Sequence, residues 1–477
     1  MKAGAMKLAI LGGGGVRMPA FVRAVLTGRP GLFEEICLLE PDPLRRETTA
    51  RLAVEVAAVL GRPGTVTVTA DPARALSGAD YVFSAIRVGG DRGRVIDEQV
   101  ALRRGIVGQE TTGAGGCAMA LRTIPVVLGY CDLIRAHAPG AVLVNFTNPA
   151  GLITQAITAH GGVRAVGVCD TPSSMIEQLA AFAGADPGAV RAGYAGLNHL
   201  GWVTSLESGG TDLLPGLLTR FDELRRFDHR LAGLDPALVR RVGAIPTEYV
   251  YYYYDERRYL DGVARAGSSR GEDVERLNEE LLAAVGRAFA SGDVRAAWAA
   301  YAGLLGVRHD TYMRTDTEGD NGQRTARSAA APPPIEPARQ DGPAAEDPTG
   351  LGGYERLALR VIDGLSGRAP VTAIVNVPNQ GRVGYLDPGD VAEVTARLDA
   401  AGGIGVEPAP DLPRSAQALV LAVKEYERGV IDAALSGSAD LAAVALSLHP
   451  LVPGISAARQ LIADYRDGHR EHLAYLR

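Results

Sequence analysis

The alternation of short apolar runs with longer amphipathic segments over the first 170 residues constrains the fold most. Lys7–Leu11, Glu35–Leu39 and Val142–Phe146 are typical of buried strands, and Arg45–Leu60 has apolar residues three and four positions apart, as on one face of a helix. Strands that alternate with helices form a parallel sheet with right-handed crossovers. We therefore predict an α/β protein with a doubly wound parallel sheet in its N-terminal part.

The pattern changes after Cys169, where helical segments such as Pro215–Val242, Asn278–Gly303 and Ser415–Ser436 dominate. We predict two domains, at residues 1–195 and 196–477, the second being α+β and largely helical. Residues 317–350 are rich in proline, alanine, glycine and charge and poor in large apolar side chains. This composition predicts a flexible loop within the second domain.

Composition excludes several classes of partner. The net charge of −6 gives no general case for nucleic-acid binding. Four cysteines in 477 residues do not make a disulfide framework, so we expect a reducing cytoplasm. The longest uncharged stretch, Ala136 to Val163, contains prolines and asparagines and is not a membrane span.

A run of four glycines ends the first strand and precedes a helix. The run is Gly12, Gly13, Gly14 and Gly15. Glycines there let backbone N–H groups approach a phosphate at the helix N-terminus, and Glu40, at the end of the second strand, can accept both ribose hydroxyls of NAD. The pattern favours a Rossmann-type NAD site, and a structural turn with a solvated glutamate is the alternative.

A thiol, an imidazole and a carboxylate form a second candidate site. Cys169 and Asp170 follow the apolar strand Arg164–Val168, and His199 lies thirty residues on. Together they would suit a borderline-soft divalent metal ion with positions open for substrate. Taken singly, the cysteine and the histidine are more typical of structural residues.

Five tyrosines follow Glu248, at positions 249 and 251–254. Most are expected to pack, with a hydrogen bond at the hydroxyl. One is a candidate general base, provided that a nearby cation lowers its pKa.

Several longer segments, in a fixed order, match one family. They are KLAILGGGG (7–15), GIVGQETTGAGG (105–116), NFTNPAG (145–151), GVCDTP (167–172), GLNHLGW (196–202), IPTEYVYYYY (245–254) and VNVPNQG (375–381). The chain resembles glycoside hydrolase family 4, the NAD- and divalent-metal-dependent glycosidases, and within it the 6-phospho-β-glucosidase branch. These enzymes are exceptions to the two-carboxylate mechanism of most glycosidases.

The resemblance implies a redox route to hydrolysis. NAD oxidises the sugar at C3, a base removes the C2 proton, the aglycone is eliminated, water adds, and NADH reduces C3 again. Cys169 and His199 would hold the metal, with manganese as the ion implied, and Tyr249 would be the base at C2. Asp170 would help to deprotonate the C3 hydroxyl or assist the departing group.

The resemblance also assigns the substrate contacts. Glu110 would be a polar contact near the metal, and Asn148 would bind sugar hydroxyls. Arg94 would lie near the substrate phosphate, because arginine binds phosphate with two parallel hydrogen bonds. Arg87 would lie on the cofactor side.

Three functions stay open at this point. Many relatives have Ser-Ser-Tyr after the glycines, whereas Val16 and Arg17 stand here, so a family member acting on unphosphorylated or α-linked sugars is an alternative. A dehydrogenase of the lactate/malate type would share the expected two-domain architecture, but Cys169, His199 and the GQETTG segment argue against it. Family resemblance also implies a homodimer or homotetramer, with NAD in the first domain and substrate and metal in the second.

Overall fold

The structure is a computed structural model that describes residues 6–312, 353–399 and 404–477. All of its strands join one sheet. They are β1 (Met6–Leu11), β2 (Phe33–Leu39), β3 (Val66–Thr69), β4 (Tyr81–Ser84), β5 (Val142–Asn145), β6 (Arg164–Gly167), β7 (Arg191–Leu197), β8 (Leu200–Ser208), β9 (Thr211–Asp212), β10 (Ile245–Pro246), β11 (Val371–Pro378), β12 (Val391–Leu398) and β13 (Ile404–Val406). The loop predicted at 317–350 lies outside the described residues.

The N-terminal half is a parallel sheet in the order β3-β2-β1-β4-β5-β6. This is the strand order of a dinucleotide-binding fold, and it confirms the predicted α/β class. The helices of this half are Met18–Gly28, Pro43–Arg45, Arg51–Val59, Pro72–Leu76, Gly90–Leu102, Gly113–His137, Ala150–Ala156 and Thr171–Ala183, with π-helical turns at Arg46–Ala50 and Ile157–Gly161.

The sheet continues without a break into the C-terminal half. Strand β11 runs antiparallel to β6, with Asn376 opposite Gly167, and the order continues β12-β7-β8-β10. The two halves therefore share one sheet. Strand β7 spans the predicted division between residues 195 and 196, which stays a prediction.

Helices cover the antiparallel half. They are Leu214–Thr219, Phe221–Phe227, Pro236–Val242, Tyr251–Tyr254, Glu256–Ala266, Arg270–Ala290, Val294–Asp310, Gly353–Ser366, Arg414–Ser436, Ala439–Ser447, Ile455–Gly468 and Arg470–Leu473, with 3-10 turns at His229–Gly233 and Glu248–Val250. The single helix predicted over Asn278–Gly303 is wrong. The chain breaks at Gly292, whose φ of 75° suits glycine, and Asp293 then caps a new helix by accepting the N–H of Ala296.

One helix, Gly113–His137, is long and apolar enough to cross a membrane. Its most apolar window is 61% buried inside the fold, and Pro125 lies within the helix. It packs against Gly90–Leu102 and Arg414–Ser436, as a core helix does.

A buried network of ion pairs and hydrogen bonds connects the C-terminal helices to the N-terminal half. Arg122 donates to both carboxylate oxygens of Asp97, at 2.6 and 2.7 Å, and His469 Nε2 lies 2.8 Å from the same carboxylate. The Tyr465 hydroxyl donates to the Asp97 carbonyl. The network holds the helix Gly90–Leu102, which carries side chains into the cleft described below.

Candidate active site

A cleft of about 1440 Å³ opens where the parallel strands end. It is lined by residues that follow the carboxyl ends of five strands, among them Gly12 after β1, Glu40 after β2 and Cys169 after β6. The antiparallel half closes it with side chains that include His199 and Tyr249. The cleft lies where ligands of doubly wound sheets bind, and it brings the two predicted sites into one space.

The glycine loop is packed tightly on strand β2. A Cβ on Gly13 would lie 2.5 Å from the Leu38 Cβ, and one on Gly14 would lie 2.7 Å from the Glu40 Cγ. Gly12 has a φ of 82°. Larger residues at these positions would push the loop away from the sheet. The glycines therefore let the loop backbone pack directly on strand β2 at the edge of the cleft.

The Glu40 carboxylate is fixed beside this loop. Its two oxygens accept the backbone N–H groups of Gly14, at 2.9 Å, and of Asp42, at 3.0 Å, and the side chain is buried. The alternative of a solvated glutamate is therefore wrong. Gly15, at the start of the turn into the next helix, also lines the cleft.

His199 lies in the two-residue turn that joins β7 to β8. Its φ of 63° is in the left-handed region, which costs a residue with a Cβ on the order of 1 kcal/mol or more. The turn is held by Asn198, whose Oδ1 accepts the Ala150 N–H at 3.1 Å and whose Nδ2 donates to Glu393 at 3.2 Å. Glu393 is buried and also accepts the hydroxyl of Tyr194. The fold thus maintains a strained conformation at a cleft-lining residue.

Contacts on the His199 ring fix its orientation. Nδ1 lies 2.7 Å from the Thr111 hydroxyl, and the ring stacks on Tyr249 with centroids 3.8 Å apart. Burial lowers the pKa of His199 to about 4. The imidazole is therefore neutral at physiological pH, which is the form that binds metals.

Cys169 is a buried thiol at the end of β6. Burial raises its pKa well above the ordinary value, and the nearby carboxylates of Glu393 and Asp170 raise it further. A thiolate here needs a cation beside it. Asp170 lines the cleft at the start of the helix Thr171–Ala183.

The donor set fits an open metal site. Within the described ranges, no cluster of three or more His, Cys, Asp or Glu side chains converges as a closed site would require. Cys169 and His199 would supply one sulfur and one nitrogen and leave the remaining positions to ligands from substrate. All four cysteines are free and buried, and Cys169 is the one that lines the cleft.

Tyr249 presents its hydroxyl beside another tyrosine. The Tyr249 and Tyr312 oxygens are 2.6 Å apart. Burial raises the pKa of Tyr249 well above its ordinary value, and Tyr312 and Glu248 add to the rise. Tyr251 and Tyr252 pack on each other with ring centroids 4.3 Å apart. They show the packing predicted for most of the run.

Glu248 lines the cleft, although no motif in the sequence indicated a role for it. Burial raises its pKa to about 7, and the positive charge of Arg230 only partly opposes the effect. The Thr171 hydroxyl donates to its carboxylate at 3.4 Å. A buried carboxyl group therefore lies next to the candidate base.

Three of the predicted contact residues form an ion-pair chain. Glu110 bridges Arg87, at 2.6 Å, and Arg94, at 3.1 Å, and Arg94 also donates to Glu98 at 2.8 Å. Burial would raise the pKa of Glu110, but the two arginines outweigh it and hold the value at about 2. Arg94 is thus already paired with two carboxylates. Its role at a substrate phosphate stays a prediction, as do those of Glu110 and Arg87.

A second group of arginines enters the cleft from the C-terminal half. Burial, with Arg17 and Arg94 nearby, lowers the pKa of Arg308 to about 9. Arg270 donates to the Arg308 carbonyl, and both side chains line the cleft. Crowded guanidinium groups favour an anion. Arg308 lies in an alanine-rich helix, and no local pattern distinguishes it. Asn148, predicted to bind sugar hydroxyls, lies in the same cleft.

Comparison with known families agrees with this geometry. The model of the family 4 glycosyl hydrolases matches residues 7–184, and that of the family 4 C-terminal domain matches residues 194–452. The chain belongs to glycosyl hydrolase family 4. The resemblance inferred from the motifs is therefore confirmed.

Relatives within family 4 include both phosphoglucosidase types. The chain is 26% identical to a probable 6-phospho-beta-glucosidase of Bacillus subtilis, over 98% of this chain and 97% of the relative. It is 39% identical to 6-phospho-alpha-glucosidase 1 of Lacticaseibacillus paracasei, but over only 31% of this chain and 34% of the relative. The solved 6-phospho-beta-glucosidase of Thermotoga maritima with manganese, NAD+ and glucose-6-phosphate superposes with a TM-score of 0.78 at 25% identity, covering 98% of this chain and 99% of that one.

The dehydrogenase-like architecture is also confirmed. Malate dehydrogenase of Plasmodium falciparum superposes with a TM-score of 0.51 at 10% identity, covering 90% of this chain and 99% of that one. This likeness concerns the fold alone. Membership of family 4 places the chain with the glycosidases and not with the dehydrogenases of similar shape.

Proposed function

We propose that this chain hydrolyses 6-phospho-β-glucosides with bound NAD and a divalent metal ion, manganese being the ion expected. The observation that carries the proposal is that Glu40, Cys169, His199 and Tyr249 line one cleft. A glycosidase that works with two carboxylates needs neither a residue that binds the ribose of NAD nor a thiol that binds a metal ion. A simple dehydrogenase has no use for a metal-binding thiol.

Two sets of cleft residues would hold the two bound groups. The glycine loop and Glu40 would hold the dinucleotide, which supplies reversible hydride transfer at C3 of the sugar. Cys169 and His199 would hold the metal ion, which supplies Lewis-acid polarisation of the sugar oxygens next to C2.

The chain's own side chains would move the protons. Tyr249 lines the cleft, stacks on His199 and would take the proton from C2. Asp170, next to Cys169, would accept the proton of the C3 hydroxyl or assist the departing aglycone. Burial raises the pKa of Tyr249, so proton transfer to it requires positive charge nearby when substrate is bound.

A phosphorylated sugar accounts for the arginines. Arg308 and Arg270 line the cleft, and the pKa of Arg308 is lowered by burial and by Arg17 close by. A substrate phosphate would relieve this repulsion and accept charge-assisted hydrogen bonds. Arg17, which stands where many relatives have serine, is thus consistent with a phosphate requirement.

The test compares four chromogenic substrates with NAD and manganese supplied. They are the p-nitrophenyl β- and α-glucosides and their 6-phosphates. Rapid p-nitrophenol release from the β-linked 6-phosphate alone is the expected result, and the Cys169→Ser protein, prepared identically, controls for contaminating hydrolases.

Two other outcomes would redirect the assignment within the family. Preference for the α-linked 6-phosphate would agree with the partial relative from Lacticaseibacillus paracasei. Equal turnover of sugars with and without phosphate would contradict the role given to the arginines. Turnover unaffected by removal of NAD and metal would contradict the proposal as a whole.

A further inference from the structure

The hydrogen bonds behind His199 form a chain of three groups. The Thr111 hydroxyl lies 2.7 Å from His199 Nδ1 and 2.8 Å from Gln109 Oε1. The Thr111 backbone N–H donates to the same Gln109 oxygen at 2.6 Å. Thr111 and His199 are both buried, so water does not compete freely for the hydrogen bond between them.

The direction of each hydrogen bond follows from what each group can do. A backbone N–H is only a donor, so the Gln109 atom facing it is the carbonyl oxygen, which is only an acceptor. A hydroxyl has a single hydrogen, and that of Thr111 is used by the Gln109 oxygen. The Thr111 oxygen can then only accept, so His199 must carry its hydrogen on Nδ1.

The opposite arrangement is unfavourable. If the Thr111 hydrogen pointed at His199, the Thr111 and Gln109 oxygens would face each other at 2.8 Å with no hydrogen between them. The Gln109 oxygen would keep its bond from the Thr111 N–H, but the lone pairs of the two oxygens would repel each other at this distance. The hydrogen bond from the Thr111 hydroxyl to Gln109 therefore favours the Nδ1–H tautomer of His199.

The tautomer decides which nitrogen can bind a cation. With the hydrogen on Nδ1, the lone pair is on Nε2, the nitrogen not engaged by Thr111. Partners of this kind orient metal-binding histidines, and their loss typically weakens metal binding about 10- to 100-fold. We propose that Thr111 and Gln109 are positioning residues that lock His199 in the Nδ1–H tautomer and thereby present Nε2 to the metal ion. The inference rests on the metal site of the proposed function.

Manganese affinity of the full-length chain, measured by electron paramagnetic resonance of free Mn²⁺, tests the proposal. Thr111→Val keeps the side-chain shape but removes the acceptor, and we expect about 10- to 100-fold weaker binding. Thr111→Ser restores the hydroxyl and should bind within a few-fold of wild type. Gln109→Met frees the Thr111 hydrogen to point at Nδ1, so it should weaken binding as well.

Thr123→Val is the matched control. Thr123 is a buried threonine whose hydroxyl has no hydrogen-bond partner among the described residues. This variant should bind manganese like wild type. Equal affinity in Thr111→Val and Thr123→Val would overturn the proposal.

A second readout measures the tautomer in the wild-type chain itself. Nitrogen-15 spectra of histidine rings in the wild-type chain distinguish the tautomers, with His199 assigned from the signal missing in His199→Gln. We expect hydrogen on Nδ1, and hydrogen on Nε2 would overturn the proposal. Cys169→Ser and His199→Gln separate the two levels of inference. If these bind manganese like wild type, the proposed metal site is wrong; if they lose it and Thr111→Val does not, only the positioning role fails.

Discussion

Replacement of Tyr249 by phenylalanine removes one hydroxyl and leaves the ring in place. The ring stacks on His199 at 3.8 Å, and that contact does not involve the oxygen. Among the described residues the hydroxyl bonds to Tyr312 at 2.6 Å, and loss of this hydrogen bond should cost about 1 kcal/mol of folding free energy. A general base typically contributes about 10²- to 10⁴-fold to the rate. We therefore expect a large loss of kcat in a protein that is almost as stable as wild type.

Tyr312→Phe is the matched control, because it removes the same hydrogen bond from the other side. Its folding free energy should fall by a similar amount, while the rate should stay within about 10-fold of wild type. The assay is p-nitrophenol release from the β-linked 6-phosphate at saturating NAD and manganese, with NAD binding measured separately by fluorescence. Full NAD binding is expected in both variants. A Tyr249→Phe rate within a few-fold of wild type, or an equal loss in both variants, would refute the assignment of Tyr249 as the base.

Three further predictions follow from the same geometry. Cys169→Ser should lose manganese binding and activity, whereas Cys131→Ser, which alters a buried thiol outside the cleft, should keep both; elemental analysis with and without chelator measures the difference. Arg308→Gln should raise KM about 10- to 100-fold for the 6-phosphate substrate and leave the unphosphorylated glucoside unchanged, because one charged hydrogen bond is worth about 1.5–3 kcal/mol. Asp97→Ala should lower the free energy of unfolding in urea by about 3–5 kcal/mol by leaving a buried arginine unpaired, whereas Asp467→Ala, in an exposed ion pair, should change it by less than about 1 kcal/mol. A small change in the free energy of unfolding of Asp97→Ala would show that this ion-pair network does not hold the C-terminal helices to the N-terminal half.

The parallel half of the fold was predictable because its signals are local. The apolar runs of β1 and β2, with glycines directly after the first, define a strand–loop–helix unit without reference to distant residues. Glu40 could be placed at the cleft because carboxyl ends of parallel strands meet at one edge. Cys169 and His199 were recognised through motifs, and spacing alone did not show that both line one cleft.

The antiparallel half was less predictable because its pairings join distant segments. Strand β12 pairs with β7, which lies about 200 residues earlier in the sequence, and no local sequence pattern predicts that pairing. The role of Arg308 could not be predicted from the sequence either, because only folding brings this residue near Arg17. The pairing of Arg94 with Glu98 was readable, because residues four apart on a helix face each other. The second ion pair of Arg94, with Glu110, could not be predicted in this way.

Deuterium incorporation at C2 of the sugar tests the central claim most directly. Hydrolysis of the β-linked 6-phosphate in deuterated water, with NAD and manganese, is followed by NMR of the glucose 6-phosphate released. If a base in the cleft removes the C2 proton, exchange with solvent leaves deuterium at C2 of the product. Hydrolysis by two carboxylates never breaks that bond. Deuterium at C2 is the predicted result, and product with hydrogen retained at C2 would contradict the account.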